Sequence, residues 1–177
     1  MLEDKEINIK NDEDLSKYCY GVAGSVGSLL CPIIGVKNPE AYYFAESLGT
    51  AMQITNIVRD VYEDAQRDRI YIPSNYFKNI PTCKDILHSN SFKKEVKDAK
   101  YKLLEKAESH YEIAWKGLKF IPFKNRIIVA WAGLMYREIG LKILKNQDEY
   151  FKNRATVTNF RKVALLFPAL FKAILAK

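Results

Sequence analysis

Apolar residues recur at spacings of three and four along most of the chain, and strict alternation over a useful length is absent. That is the period of amphipathic helices rather than strands. The spacing predicts a first helix, capped by Asp12 or Asp14, that runs through Leu30 to about Ile33. A second opens after Asn38-Pro39, with proline at a first-turn position, and runs to about Asp64. The polar link AQRDRIYIP closes at Pro73, and helical pieces are expected near 74–77 and over Cys83–His88. Ser91 is the expected cap of a long helix reaching about Leu118, with a one-sided stripe through Phe92, Val96, Ala99, Leu103, Ala107, Tyr111, Ala114 and Leu118. Residues 127–144 are apolar nearly all round, as expected of a central, enclosed helix. A last helix near 161–177 carries Pro168. The sum is one all-α domain over residues 1–177 with short loops.

Gly21, Gly24 and Gly27 recur every three residues in the first helix. Each costs a helix about 1 kcal/mol against alanine, so close approach of another backbone or a ligand is the expected reason. Tyr42-Tyr43-Phe44, Trp115 and Trp131 read as packing groups, and His88 and His110 carry no assigned role.

Length and composition, 177 residues with 48% hydrophobic and 28% charged, fit a single globular domain. The three cysteines, Cys19, Cys31 and Cys83, have neither metal nor disulfide spacing. The acidic start MLEDKEINIKNDED lacks the apolar core of a signal peptide, and no stretch of about 18 apolar residues occurs. A cytoplasmic location is expected. Lysine outnumbers arginine 21 to 7, a usage that fits an AT-rich bacterial genome. Of the 28 Lys and Arg, 8 lie in residues 142–177 against 2 Asp and Glu, so the net charge of +7 is a C-terminal feature. The apolar run 163–171, flanked by Arg161, Lys162, Lys172 and Lys177, reads either as a core helix with a basic edge or as a peripheral contact with the inner membrane face. No nucleic-acid module accompanies the charge.

The chemistry concentrates in QITNIVRDVYEDAQRDRIYIP, residues 53–73. At about 100° per residue, Gln53, Asn56, Asp60 and Asp64 share one helix face roughly 80° wide. Ile54, Ile57, Val58 and Val61 lie beside it. Two carboxylates one turn apart, preceded by amides, suit Mg²⁺, which commonly bridges one or two carboxylates to substrate phosphates. Arg59, Arg67 and Arg69 flank them and have the forked geometry for phosphate. The competing reading is a solvated acidic helix end in surface ion pairs. The in-phase amides and the following Arg-x-Tyr-x-Pro weigh against it.

Two signatures resemble the squalene/phytoene synthase family of head-to-head prenyl transferases. One is Y-C-x-x-V-A-G-x-V-G at Tyr18 to Gly27; the other is L-G-x-x-x-Q-x-x-N-I-x-R-D-x-x-E-D followed by R-x-Y-x-P, from Leu48 to Pro73. Weaker resemblance continues at Tyr136-Arg137-Glu138-Ile139, Arg154 and Arg161-Lys162. The resemblance implies the all-α isoprenoid synthase fold and 1′–1 condensation of two C15 or C20 prenyl diphosphates of the squalene, presqualene or phytoene type. It implies that Asp60 and Asp64 bind Mg²⁺ and diphosphate, with Gln53 and Asn56 on the same polar lip. Arg59, Arg69 and Tyr71 would hold the diphosphate or assist its departure, and Tyr18 and Tyr136 would sit near the reacting carbons. Val22, Ala23 and Val26 would wall the prenyl chain. No dinucleotide fingerprint marks an NADPH site.

Two departures stand out. Asp68 occupies a position where family members often have glycine. The family's first Asp-rich motif lies upstream of Tyr-Cys-x-x-Val-Ala-Gly, whereas only 17 residues precede Tyr18 here and Asp4, Asp12 and Asp14 read as surface or cap residues. The expectation is therefore a fold lacking its N-terminal helices, doubtful as an enzyme by itself, with an exposed apolar groove and a second chain supplying the missing motif. The alternatives are a decayed gene fragment and a non-catalytic relative resembling respiratory-complex assembly factors.

Overall fold

In the computed structural model, residues 9–146, 148–151 and 153–176 are described. They form eight α-helices and no strand: α1 Asp12–Cys19, α2 Ser25–Ile33, α3 Ala41–Ala65, α4 Cys83–His88, α5 Asn90–Lys116, α6 Phe123–Lys145, α7 Asn159–Ala164 and α8 Leu166–Leu175. Asp4 and Lys177 fall outside the described residues.

The expected first helix is real but interrupted. Its cap is Asn11 rather than Asp12 or Asp14: the Asn11 side chain accepts from the backbone N–H groups of Glu13 and Asp14, which satisfies donors that the first turn leaves open. Between α1 and α2, residues Tyr20–Gly24 form a wide π turn, with the Ser25 N–H reaching back to the Tyr20 carbonyl. The glycine expectation holds at one end only. A Cβ at Gly27 would lie 2.5 Å from the Ala45 carbonyl oxygen, while at Gly21 nothing lies within 4 Å. A Cβ on Gly49 of α3 would in turn lie 2.5 Å from the Ala23 carbonyl oxygen. These small residues let α2 and α3 cross with their backbones nearly touching.

α3 is the spine. Its apolar side, including Ile54, Ile57 and Val58, packs against the α5 stripe of Val96, Ala99, Leu103, Ala107 and Tyr111. Inside this seam the Tyr111 hydroxyl lies 3.1 Å from Thr55 Oγ1, whose own O–H reaches the Ala51 carbonyl. α5 begins after Ser89, not Ser91, and Ser89 makes no side-chain cap. α4 keeps its expected bounds, with a capping box between Thr82 and Asp85.

α6 departs from expectation. It buries Ala130, Gly133, Leu134, Ile139, Gly140 and Ile143, but Ile128 is 61% exposed. Arg137 clamps it to α5 through a bidentate pair with Glu108. The final segment is two helices, α7 and α8, and the run 163–171 is only half core: Leu165 and Ala169 are buried, while Phe167 is 77% exposed. Arg126 holds the end of α8 by donating to the carbonyls of Ala173 and Ala176. Trp115 and Trp131 do pack; the Trp131 indole N–H donates to the Lys162 carbonyl. All three cysteines are free thiols, and burial pushes the Cys19 thiol up to about 12.

Candidate active site

Gln53 and Asn56 stand on α3 at the lip of an apolar cavity of about 310 Å³. α2 and the π turn supply Val22, Ala23 and Val26, and Tyr136 enters from α6. Six of the residues expected at the site are thus brought to one cavity. The cavity is open on one side, where Val22 and Val26 are each about half exposed. The sequence leads one to expect an exposed apolar groove around residues 127–144; of these, Val129 and Tyr136 line this cavity.

Beyond the lip, α3 carries Asp60 and Asp64 one and two turns further on. Asp60 is tightly engaged. Arg59 Nε donates to Oδ1 at 2.7 Å while its NH2 group takes the other oxygen. Arg154, from the loop before α7, reaches Oδ1 at 3.1 Å and lies 4.0 Å from Glu63. Asp64 lacks such a clamp. Burial, then the charge of Asp60, pushes its carboxyl up to about 6, against the opposing pull of Arg67 and Arg69. The Asn56 Oδ1 atom is buried with no hydrogen-bond partner, an arrangement costly enough to require an explanation.

Tyr18 and Tyr71 pair at the C-terminal end of α3, ring centroids 5.1 Å apart. Burial, then the Tyr71 hydroxyl, raises the Tyr18 phenol above its ordinary value. Tyr71 and Arg69 line a small crevice with Asp64. The turn after α3 explains the Asp68 departure: Asp68 has φ +55°, a left-handed conformation that glycine adopts without cost and aspartate tolerates.

Lys100 was missed from the sequence. It is 2% exposed, and its ammonium donates to the Tyr150 carbonyl at 3.2 Å. Burial brings it down to about 8, with Asp60 opposing that shift. The signal was there: by helical phase Lys100 falls about 40° from Val96, inside the apolar stripe of α5. The Arg154–Asp60 pairing had no local signal, because it joins positions far apart in the chain.

The donors on α3 fit a cation only in part. Among the described residues no group of three His, Cys, Asp or Glu could hold a metal ion. Two neighbouring carboxylates and an unpartnered amide oxygen are nevertheless an all-oxygen set, of the kind magnesium completes with waters and substrate phosphates.

The sequence matches the family model described as squalene/phytoene synthase over residues 2–161. It is 32% identical over 165 residues to a 15-cis-phytoene synthase of Enterobacter agglomerans, covering 93% of this chain and 56% of that one. It is 34% identical over 174 residues to a 15-cis-phytoene synthase of Synechococcus elongatus, covering 91% and 56%. The chain thus spans a little over half the length of these relatives. A crystal structure of a dehydrosqualene synthase in complex with ligand superposes with a TM-score of 0.78 at 32% identity, covering 92% of this chain and 57% of that one. A complex structure of TcSQS with the ligand BPH1237, at 19% identity and a TM-score of 0.76, covers 94% and 51% and shares the fold. The helical architecture is therefore the isoprenoid synthase fold, and the chain belongs to the squalene/phytoene synthase family.

Proposed function

We propose that this chain, one squalene/phytoene synthase-like domain over its whole length, binds a prenyl diphosphate and takes part in head-to-head 1′–1 condensation of two such molecules. The observation that carries the reading is the junction on α3: two amides at the lip of an apolar cavity, followed one and two turns on by two carboxylates.

Asp60 and Asp64 would hold Mg²⁺, with Asn56 Oδ1 as a further oxygen. Bound Mg²⁺ supplies positive charge that stabilises a departing diphosphate. Arg59 and Arg69 hold the diphosphate oxygens, Arg59 exchanging a carboxylate for a phosphate. Tyr71 donates its hydroxyl to the same group. The cavity walls of Val22, Ala23 and Val26 take the prenyl chain and keep water from the reacting carbons. The faces of Tyr18 and Tyr136 stabilise the positive charge that develops there.

The open side of the cavity, bordered by Val22 and Val26, calls for an apolar helical cover. A segment with the first pair of carboxylates, on a second chain in the split-enzyme reading, would close it. The exposed Phe160, Phe167 and Phe171 beside Lys162 and Lys172 would rest on an anionic membrane surface; co-sedimentation with anionic vesicles checks this.

The decisive test is calorimetric titration of the chain with a non-hydrolysable prenyl thiolodiphosphate, with and without Mg²⁺. Magnesium-dependent binding, lost in Asp60→Asn and Asp64→Asn, is expected. Absence of binding at any magnesium concentration overturns the reading.

A further inference from the structure

The loop between α6 and α7 delivers Arg154 to Asp60, and two lysine ammonium groups bracket that arginine by donating to loop carbonyls. Lys142 of α6 donates to the Thr156 carbonyl at 2.8 Å, just after Arg154. Lys100 of α5 donates to the Tyr150 carbonyl at 3.2 Å, just before it. Between the brackets Phe151 and Ala155 seat the loop in the core. The brackets differ in kind. Lys142 works at the surface, as do Lys93 and Lys97, which hold the exposed Asp148 carboxylate earlier in the loop. Exposed pairs of this sort contribute little. Lys100 is buried, and its hydrogen-bond partner there is a neutral carbonyl.

Taking an ammonium out of water for one carbonyl costs stability. A methionine of similar length would fill the same place among Val96, Ala99 and Leu103 without that cost. Packing therefore does not explain the residue. Two observations do: the ammonium holds the loop at Tyr150, and Asp60 is the acidic group whose charge favours its protonated form. The contacts run in one line, from the Lys100 ammonium through the Tyr150 carbonyl and the loop to the Arg154 guanidinium and the Asp60 carboxylate. Arg59 and Arg154 both take Oδ1 of Asp60, so the carboxylate is oriented from its own helix and from the loop. Removing groups that orient a metal-binding carboxylate commonly weakens the site by about 10–100-fold.

We propose that Lys100 is a positioning residue of the candidate site: it fixes the loop whose Arg154 orients Asp60. The inference rests on the prenyl diphosphate reading above, and its test separates the two. A C15 thiolodiphosphate is titrated with Mg²⁺ into the unaltered chain, Lys100→Met, Arg154→Ala and the double variant. Lys100→Met binds about tenfold more weakly while melting no lower than the unaltered chain, a split that a merely structural residue does not produce. The double variant binds within about threefold of Arg154→Ala alone, because both substitutions cut the same line. Lys100→Arg keeps a cationic donor and stays within about threefold of the unaltered chain. Hydrogen exchange without metal or ligand reads the cause: the Tyr150 amide, which donates to the Asn146 carbonyl, exchanges faster in Lys100→Met, and the amides of the α3–α5 seam do not. Lys100→Gln, one bond shorter and neutral, shows the same loss of binding and decides the matter if Lys100→Met does not fold. Unchanged affinity in Lys100→Met, or losses that add in the double variant, overturn the role of Lys100 and leave the function standing. No binding by the unaltered chain overturns the function, and this inference with it.

Discussion

α5 and α6 have similar lengths and both lie against the spine helix, yet they use their apolar residues differently. α5 has a polar back and one apolar stripe, and the stripe is consumed: Val96 and Leu103 are 0% exposed and Ala107 1%. α6 is apolar nearly all round and covered less completely. Ala130 and Ile143 are 0% exposed, but Ile128 is 61% and Leu141 43% exposed. A stripe tells how many neighbours a helix has. Apolarity on every face tells how many it needs. On α5 the two numbers agree; on α6 they do not.

The sharpest way to break this contrast is a truncation in the consumed stripe. Leu103→Ala on α5 removes a fully buried side chain and is expected to cost about 3–5 kcal/mol, read as a lower denaturant midpoint. A cost below about 1 kcal/mol would mean that the α3–α5 seam is not the core.

The face of α3 between the two helices gives the next effect. Asp64 is held up at about 6, above the 3.8 of an ordinary aspartate. A folded-state pKa raised above the unfolded one contributes stability that is present below about pH 3.8 and lost as pH rises through about 6. The unaltered chain should therefore lose roughly 1 kcal/mol across that window relative to Asp64→Asn, a figure already reduced for the half-exposure of the group. Thermal melts at pH 4, 5, 6 and 7 read the difference. Saturating Mg²⁺ should abolish it, because a bound cation favours the charged carboxylate.

The one charged residue buried in the α5 stripe tests the stripe from within. Lys100 is brought down to about 8, so its charge is disfavoured in the fold. The chain should gain stability as pH rises from about 8 toward 10.5, where the unfolded lysine also gives up its proton. Lys100→Met should be about 1 kcal/mol more stable at pH 7 and lack that alkaline gain. An equally steep rise in the variant would assign it to another group.

Local patterns were legible and long-range ones were not. The phase of Gln53, Asn56, Asp60 and Asp64 is a property of a single helix, so spacing alone placed them together. The bounds of α4 followed from its own capping box. The π turn at Tyr20–Gly24 reads in the sequence as continuous helix, because nothing local distinguishes it from one. Asn11 was hidden among Asp12 and Asp14, any of which could cap by composition. Arg154 reaches Asp60 from far along the chain, and no periodicity connects them. The enclosure expected of α6 fails at Ile128 and Leu141, which are 61% and 43% exposed. What the sequence of one helix does not hold is the position of the neighbours that cover it.

The smallest effect bears most directly on that cover. Ile128 of α6 is 61% exposed, so Ile128→Ser should change the stability of the chain by less than about 0.5 kcal/mol. If α6 is apolar there because a helical partner belongs on it, the same substitution should weaken association with a polypeptide that carries the first Asp-rich motif by about 1–2 kcal/mol, since it exchanges buried apolar surface for a hydroxyl. Sedimentation of the mixed chains reads the second number and denaturant melts of the single chain read the first. A large loss in the single chain would mean that the side chain is already covered. No loss in either would reduce its apolarity to that of a scattered surface residue, which needs no partner.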